Sequence, residues 1–163
     1  KDKPEEMEVF QMMIDHGERP QDGSSSYGYV IGLRCNTLDD LLKLRYEGSI
    51  EVLANTNELQ AVRRGNATMA VFYKPGTLEL GKERWSCDVP AVLMFRELPD
   101  DKLEIYACDP CQQSDLEGIR LTTTRKMSGR DCTKNPDGSY FVDIPLPPDP
   151  FCGKPTMITI SIR

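Results

Sequence analysis

Trp85 to Cys111 reads WSCDVPAVLMFRELPDDKLEIYACDPC and joins the densest apolar run of the chain to three of its six cysteines. Ala91, Val92, Leu93, Met94 and Phe95 are continuously apolar, as in a strand covered on both faces. Leu103, Ile105 and Ala107 alternate with Glu104, Tyr106 and Cys108, the period of a strand with one wet face. Pro99-Asp100-Asp101 supplies the turn between them, so the stretch is predicted to be a hairpin.

The hairpin runs into Cys108-Asp109-Pro110-Cys111. A redox pair of this spacing should open a long helix that lowers the first thiol's pKa, but Gly118 follows after barely one turn's worth of residues. A structural zinc site needs four Cys or His ligands, and the remaining cysteines stand singly beside one histidine, His16. The even count instead predicts structural disulfides among Cys35, Cys87, Cys108, Cys111, Cys132 and Cys152. Cys35 would then tie the first half of the chain to the second.

Working away from the hairpin, Ile119, Leu121 and Thr123 alternate, as do Tyr140, Val142, Ile144 and Leu146, and then Ile158, Ile160 and Ile162. Each reads as a strand. The polar loop over 127–139 carries the turn Asn135-Pro136-Asp137-Gly138, and Pro145, Pro147, Pro148 and Pro150 exclude a central sheet position for the end of their strand. Upstream, residues 68–73, 49–53 and 27–35 also read as strands, with Gly32 marking a bulge or close approach.

Thr37 caps a helix in which Leu38, Leu41 and Leu42 share a face and Gly48 is the stop, while Asn57 to Arg64 is predicted as a second short helix ended by Gly65. Met7 to Ile14 reads as a third, and Glu18 to Ser26 as a flexible loop. The sum is a mainly β chain: a disulfide-stapled antiparallel β sandwich or partly open barrel with two or three short helices, with α+β as the alternative. Residues 1–26 form an N-terminal segment and loop, and 27–163 a single disulfide-linked β-rich domain.

Function is bounded mostly by exclusion. Lys plus Arg total 20 against 26 Asp plus Glu, a formal charge of −6, which excludes nucleic acid and anionic membrane as main partners. No apolar run reaches the ~20 residues of a membrane span. The chain opens on Lys-Asp-Lys-Pro, read as a mature or trimmed form, and the cysteines with the sequon Asn66-Ala67-Thr68 point to glycosylation at Asn66 and a secreted or extracellular location. No phosphate-cradling loop, metal-ligand set or cofactor motif occurs, and Asp39-Asp40 and Asp100-Asp101 are explained by a helix start and a turn.

Surface recognition is what remains. Trp85 beside Glu83, Arg84 and Asp88 is an aromatic with polar neighbours that could stack on a sugar or anchor a protein, but a side chain this large more often packs inside, here under a loop beside a Cys87 bridge. The expectation is a non-catalytic extracellular binding module, an adhesion or receptor-type domain or a subunit of a secreted complex, with a protein or glycan partner and no enzymatic activity, metal or cofactor. A carboxylate-dependent secreted enzyme is one alternative.

Another comes from resemblance. Tyr29-Val30-Ile31-Gly32-Leu33-Arg34 followed by a helix, and Asn57-Glu58-Leu59-Gln60-Ala61-Val62 running into Ala70-Val71-Phe72-Tyr73, resemble the strand and helix-to-strand segments of subtilisin prodomains. The resemblance implies an α+β fold and a secreted protease inhibitor, whose segment from Lys74 to Gly81 would lie along a protease cleft.

Overall fold

Alternating inward residues draw the second two thirds of the chain into two antiparallel sheets. The computed structural model describes residues 11–19, 21, 26–46, 50–129 and 131–163. One sheet has seven strands in the order β1 (Glu51–Asn55), β2 (Leu59–Arg64), β3 (Ala67–Phe72), β6 (Ala91–Leu98), β7 (Lys102–Cys108), β12 (Thr156–Ile162) and β9 (Met127–Ser128). The other has five, in the order β10 (Cys132–Lys134), β11 (Tyr140–Pro145), β8 (Gly118–Thr123), β5 (Glu83–Cys87) and β4 (Gly76–Leu80).

The sheets close face to face on one core. Leu93, Phe95, Leu103, Ile105 and Phe72 from the first sheet pack with Trp85, Leu78, Ile119, Leu121, Val142 and Ile144 from the second. Trp85 meets Phe95 across the gap with ring centroids 4.9 Å apart and planes tilted by 52°, a favourable aromatic geometry. This is a β sandwich; neither a barrel nor an α+β layer forms.

The organising hairpin is β6 and β7, registered from Val92 opposite Cys108 to Leu98 opposite Lys102. Asp100 and Asp101 both take positive φ in its turn. β6 is buried on one face only: Leu93 and Phe95 point into the core, while Val92 and Met94 are half-buried on the outer side.

Pro145 ends β11 beyond the reach of β10, which pairs only with Tyr140 to Val142, so its missing N–H is asked for nothing on that side. Opposite it, Gly118 lies so close to β11 that a Cβ would sit 2.9 Å from the Ile144 carbonyl oxygen. Gly118→Ala is therefore expected to push β8 from β11 and to lower stability by about 1–3 kcal/mol, an overpacking cost. Thermal denaturation reads it, and an unchanged midpoint would contradict this close approach.

Four expectations need correction. Asn57 to Arg64 is not a helix: β2 pairs with β3 from Leu59 opposite Phe72 to Arg64 opposite Ala67, because Leu59 and Ala61 are needed on the inner face. Residues 27–35 form no strand; Tyr29, Ile31 and Leu33 are exposed and no neighbouring strand pairs with them. Among the described residues there is one helix, α1 (Leu38–Tyr46), while Met12 to Ile14 are exposed coil, and Met7 to Phe10 and the expected stop at Gly48 lie outside them.

The fourth is the staples. All six cysteines are free, and Cys87 packs in the sandwich core as a thiol.

α1 keeps its predicted cap: Asp40 N donates to Thr37 Oγ1 at 3.2 Å, and Asp40 Oδ2 accepts from Thr37 N at 3.0 Å and Asn36 N at 3.1 Å. A side-chain hydrogen bond with Thr37, followed by the backbone bonds from Asn36 and Thr37, holds the Asp40 carboxyl below its ordinary pKa. The helix does not dock its leucines in the core; Leu38, Leu41 and Leu42 are all exposed, although Gly32 does pass close to Leu41 and Leu44.

Candidate functional site

At one end of the sandwich the core opens into a cavity of about 250 Å³. Its floor is apolar, formed by Trp85, Phe95, Leu80 and Leu103, and its wall carries Arg63, Asn66, Thr68, Glu97 and Arg125. Alternation in β2 sets Arg63 on the same side as the core residues Leu59 and Ala61. The register of β2 with β3 then places it opposite Thr68, whose Oγ1 accepts from Arg63 Nε at 3.3 Å.

Asn66 lies in the β2–β3 turn, where Gly65 takes φ 58°, a left-handed value that suits glycine. Its side-chain amide donates to the Glu97 carbonyl at 2.8 Å, fixing the turn against β6.

Arg125 follows β8 and bridges the two sheets. It lies 2.8 Å from Glu97 on β6 and 3.3 Å from Glu83 on β5, with one fifth of its side chain exposed. Its charge is thus met by two carboxylates, and the geometry pins the sheets together beside the cavity.

The four residues singled out in the sequence do not converge. Trp85 is only 1% exposed, so it forms cavity floor and core, not an open stacking platform. Glu83 is taken by Arg125. Arg84 points outward to Glu79 at 3.2 Å, and Asp88 accepts from Arg120 N at 3.0 Å on the rim of a second, shallower depression.

That depression is self-paired. Arg120 clasps Asp143 through Nε at 2.7 Å and a terminal nitrogen at 2.8 Å, and lies over the Phe141 ring at 4.5 Å. The hydrogen bond from Arg120 is the main reason the Asp143 carboxyl sits below its ordinary pKa.

The cysteines differ in burial. Burial pushes the Cys87 thiol up to about 11, and burial also raises Cys108 and Cys132. Cys111 is exposed. Alkylation at mild alkaline pH is expected to label Cys111 early and Cys87 only on unfolding, because the thiolate is the attacking species. Early labelling of Cys87, read by peptide mass mapping, would contradict its placement at the inner end of β5. His16 is exposed and tilts against Tyr27 at 5.7 Å between centroids. Among the described residues no group of three His, Cys, Asp or Glu side chains could hold a metal ion.

Comparison with known proteins settles what kind of sandwich this resembles. Residues 51–117 match the polysaccharide lyase family 8 C-terminal beta-sandwich domain. That match spans β1 to β7 and the loop leading into β8, the part that includes most of the cavity. Chondroitinase-AC of Pedobacter heparinus is 30% identical over 141 residues, covering 85% of this chain and 18% of that enzyme.

Solved structures agree in fold. A chondroitinase AC lyase studied as enzyme–oligosaccharide complexes superposes with a TM-score of 0.58 at 24% identity, over 76% of this chain and 17% of that one. The Streptomyces coelicolor A3 chondroitin AC lyase in complex with chondroitin sulphate gives 0.50 at 17% identity, over 70% of this chain and 15% of its own. The chain thus spans under a fifth of the length of each of these lyases.

These findings overturn the functional expectations. The similar proteins are glycan-degrading lyases, so a non-enzymatic adhesion or receptor-type module is withdrawn. The protease-inhibitor reading falls with its structural basis, since the segment compared with a prodomain strand is coil and the one compared with a prodomain helix is β2. A secreted enzyme working from carboxylates of this chain has no support either; the resemblance is to a sandwich that is a small part of a lyase.

Proposed function

We propose that this chain is the β-sandwich part of a polysaccharide lyase acting on a glycosaminoglycan of the chondroitin type. The observation that carries this is the 30% identity to Chondroitinase-AC across 85% of the chain, running through both sheets. The partner is then an acidic glycan met outside the cytoplasm. An acidic chain such as this one, at −6, disfavours such a polymer over most of its surface, so contact has to be made where arginine is concentrated.

The test uses the whole polypeptide that carries this sandwich, incubated with chondroitin sulfate and with a neutral glucan. Shortening of the chondroitin sulfate alone, read by size-exclusion chromatography, is the expected result. An intact chondroitin sulfate, or equal shortening of both polymers, would contradict the proposal.

A further inference from the structure

We propose that the cavity between Arg63 and Arg125 is a binding subsite for one anionic sugar residue, with Arg63 as the charge that recognises it. The choice of ligand rests on the glycan-lyase reading above. The site itself rests on an imbalance in the ion pairs of the sandwich.

Arg84, Arg96, Arg120 and Arg125 each hold a carboxylate, on Glu79, Glu104, Asp143 and the pair Glu83 and Glu97 respectively. Arg63 does not. Among the described residues it has no ion pair, and its hydrogen bond to Thr68 uses Nε, leaving the two terminal amino groups without a protein acceptor. An arginine on the inner face of a strand, half-buried, normally carries a counter-charge because desolvation of the lone cation is costly. Here the missing counter-charge faces a cavity.

The rest of the cavity suits a sugar. Its volume, about 250 Å³, lies below the range of about 300–1,000 Å³ typical of pockets for drug-sized ligands, which favours a single ring over a disaccharide. The Asn66 side chain and the Thr68 hydroxyl stand among its polar lining, and the buried Trp85, Phe95 and Leu103 close it off below. Glu97, the one carboxylate among the lining residues, shares Arg125 with Glu83, so that trio keeps one net negative charge and Arg63 is the cation left to meet an anion. A sulfate ester or a uronate carboxylate can each accept two hydrogen bonds from the guanidinium fork.

The experiment is a titration of the full 163-residue chain, followed by amide chemical shifts, with four probes: N-acetylgalactosamine monosulfate, glucuronate, neutral N-acetylgalactosamine and inorganic sulfate. Saturable shifts at Arg63, Asn66, Thr68 and Glu97 are expected with one or both anionic sugars, and which of the two binds tells sulfate ester from carboxylate recognition. Arg63→Gln should weaken that binding by about tenfold or more, the loss of a charge-assisted pair. Arg63→Lys, which keeps the charge, should weaken it less, and Arg120→Gln should leave it unchanged. The inference is overturned if neither anionic sugar shifts these residues, if the neutral sugar binds as well, or if inorganic sulfate alone binds as tightly. It is overturned equally if folded Arg63→Gln and Arg63→Lys chains both bind like the parent. Binding is read on this chain and polymer cleavage on the whole polypeptide, so failure of the subsite leaves the lyase reading standing, and the reverse.

Discussion

Trp85→Ala is expected to cost about 3–5 kcal/mol of folding stability, the largest single-residue loss in the sandwich. Trp85 lies on β5 at 1% exposure and fills the space between the sheets against Phe95. Truncation removes the aromatic pair and extends the existing cavity inward, and the strands around it are too firmly registered to collapse onto the gap. Trp85→Phe should cost less, because an aromatic ring still meets Phe95. Urea denaturation compares the three chains; a loss of under about 1 kcal/mol for the alanine variant would mean that the indole does not fill the core.

Asp109→Ala is the second large effect, about 2–4 kcal/mol from two charge-assisted hydrogen bonds and the donors they leave behind. Asp109 is a buried carboxylate at 1% exposure, just past the end of β7. Its oxygens accept from Cys111 N at 2.7 Å and Gln113 N at 2.6 Å, which folds the CxxC segment into a turn. The backbone carbonyl of Asp109 also accepts from Gln112 N at 3.4 Å. Gln112 in turn lies where a Cβ on Gly153 would meet its side chain at 2.7 Å, so the turn supports the loop before β12. Asn in place of Asp109 offers one acceptor oxygen instead of two and should recover only part of the loss. Equal stability of the alanine variant and the parent in urea would contradict this role.

The strands legible in the sequence are those whose inward residues are large and apolar. Leu103, Ile105 and Ala107, then Ile119 and Leu121, then Ile160 and Ile162 show period two because one face of each strand is core. β2 hides that pattern: its inward set is Leu59, Ala61 and Arg63, a small residue and a charge, while Leu59 and Val62 happen to stand at helical spacing. β4 and β5 are obscured by Glu79, Lys82, Glu83 and Arg84, although Leu78, Leu80, Trp85 and Cys87 alternate correctly on either side of the Gly81 turn. Residues 27–35 have the opposite problem. Their alternation is clean, but a strand exists only when another pairs with it, and none does.

The candidate site was less legible. Arg63, Asn66, Glu97 and Arg125 come from β2, the β2–β3 turn, β6 and the segment after β8, and only the closure of two sheets brings them together. The polar neighbours of Trp85 suggest a recognition site, yet in a strand Glu83 and Arg84 belong to different faces and cannot both flank the same ring, and the indole packs inside as a side chain of its size commonly does. One signal was available: an arginine two positions beyond Ala61 on the inward side of β2, which becomes conspicuous once that segment is read with period two.

The measurement that bears most directly on the account is the mass of the products released from chondroitin sulfate by the whole polypeptide bearing this sandwich. A lyase cleaves by elimination, so the account predicts oligosaccharides with an unsaturated end, each lighter by one water than the corresponding hydrolysis product. Products carrying the added water, or no products at all, would contradict it.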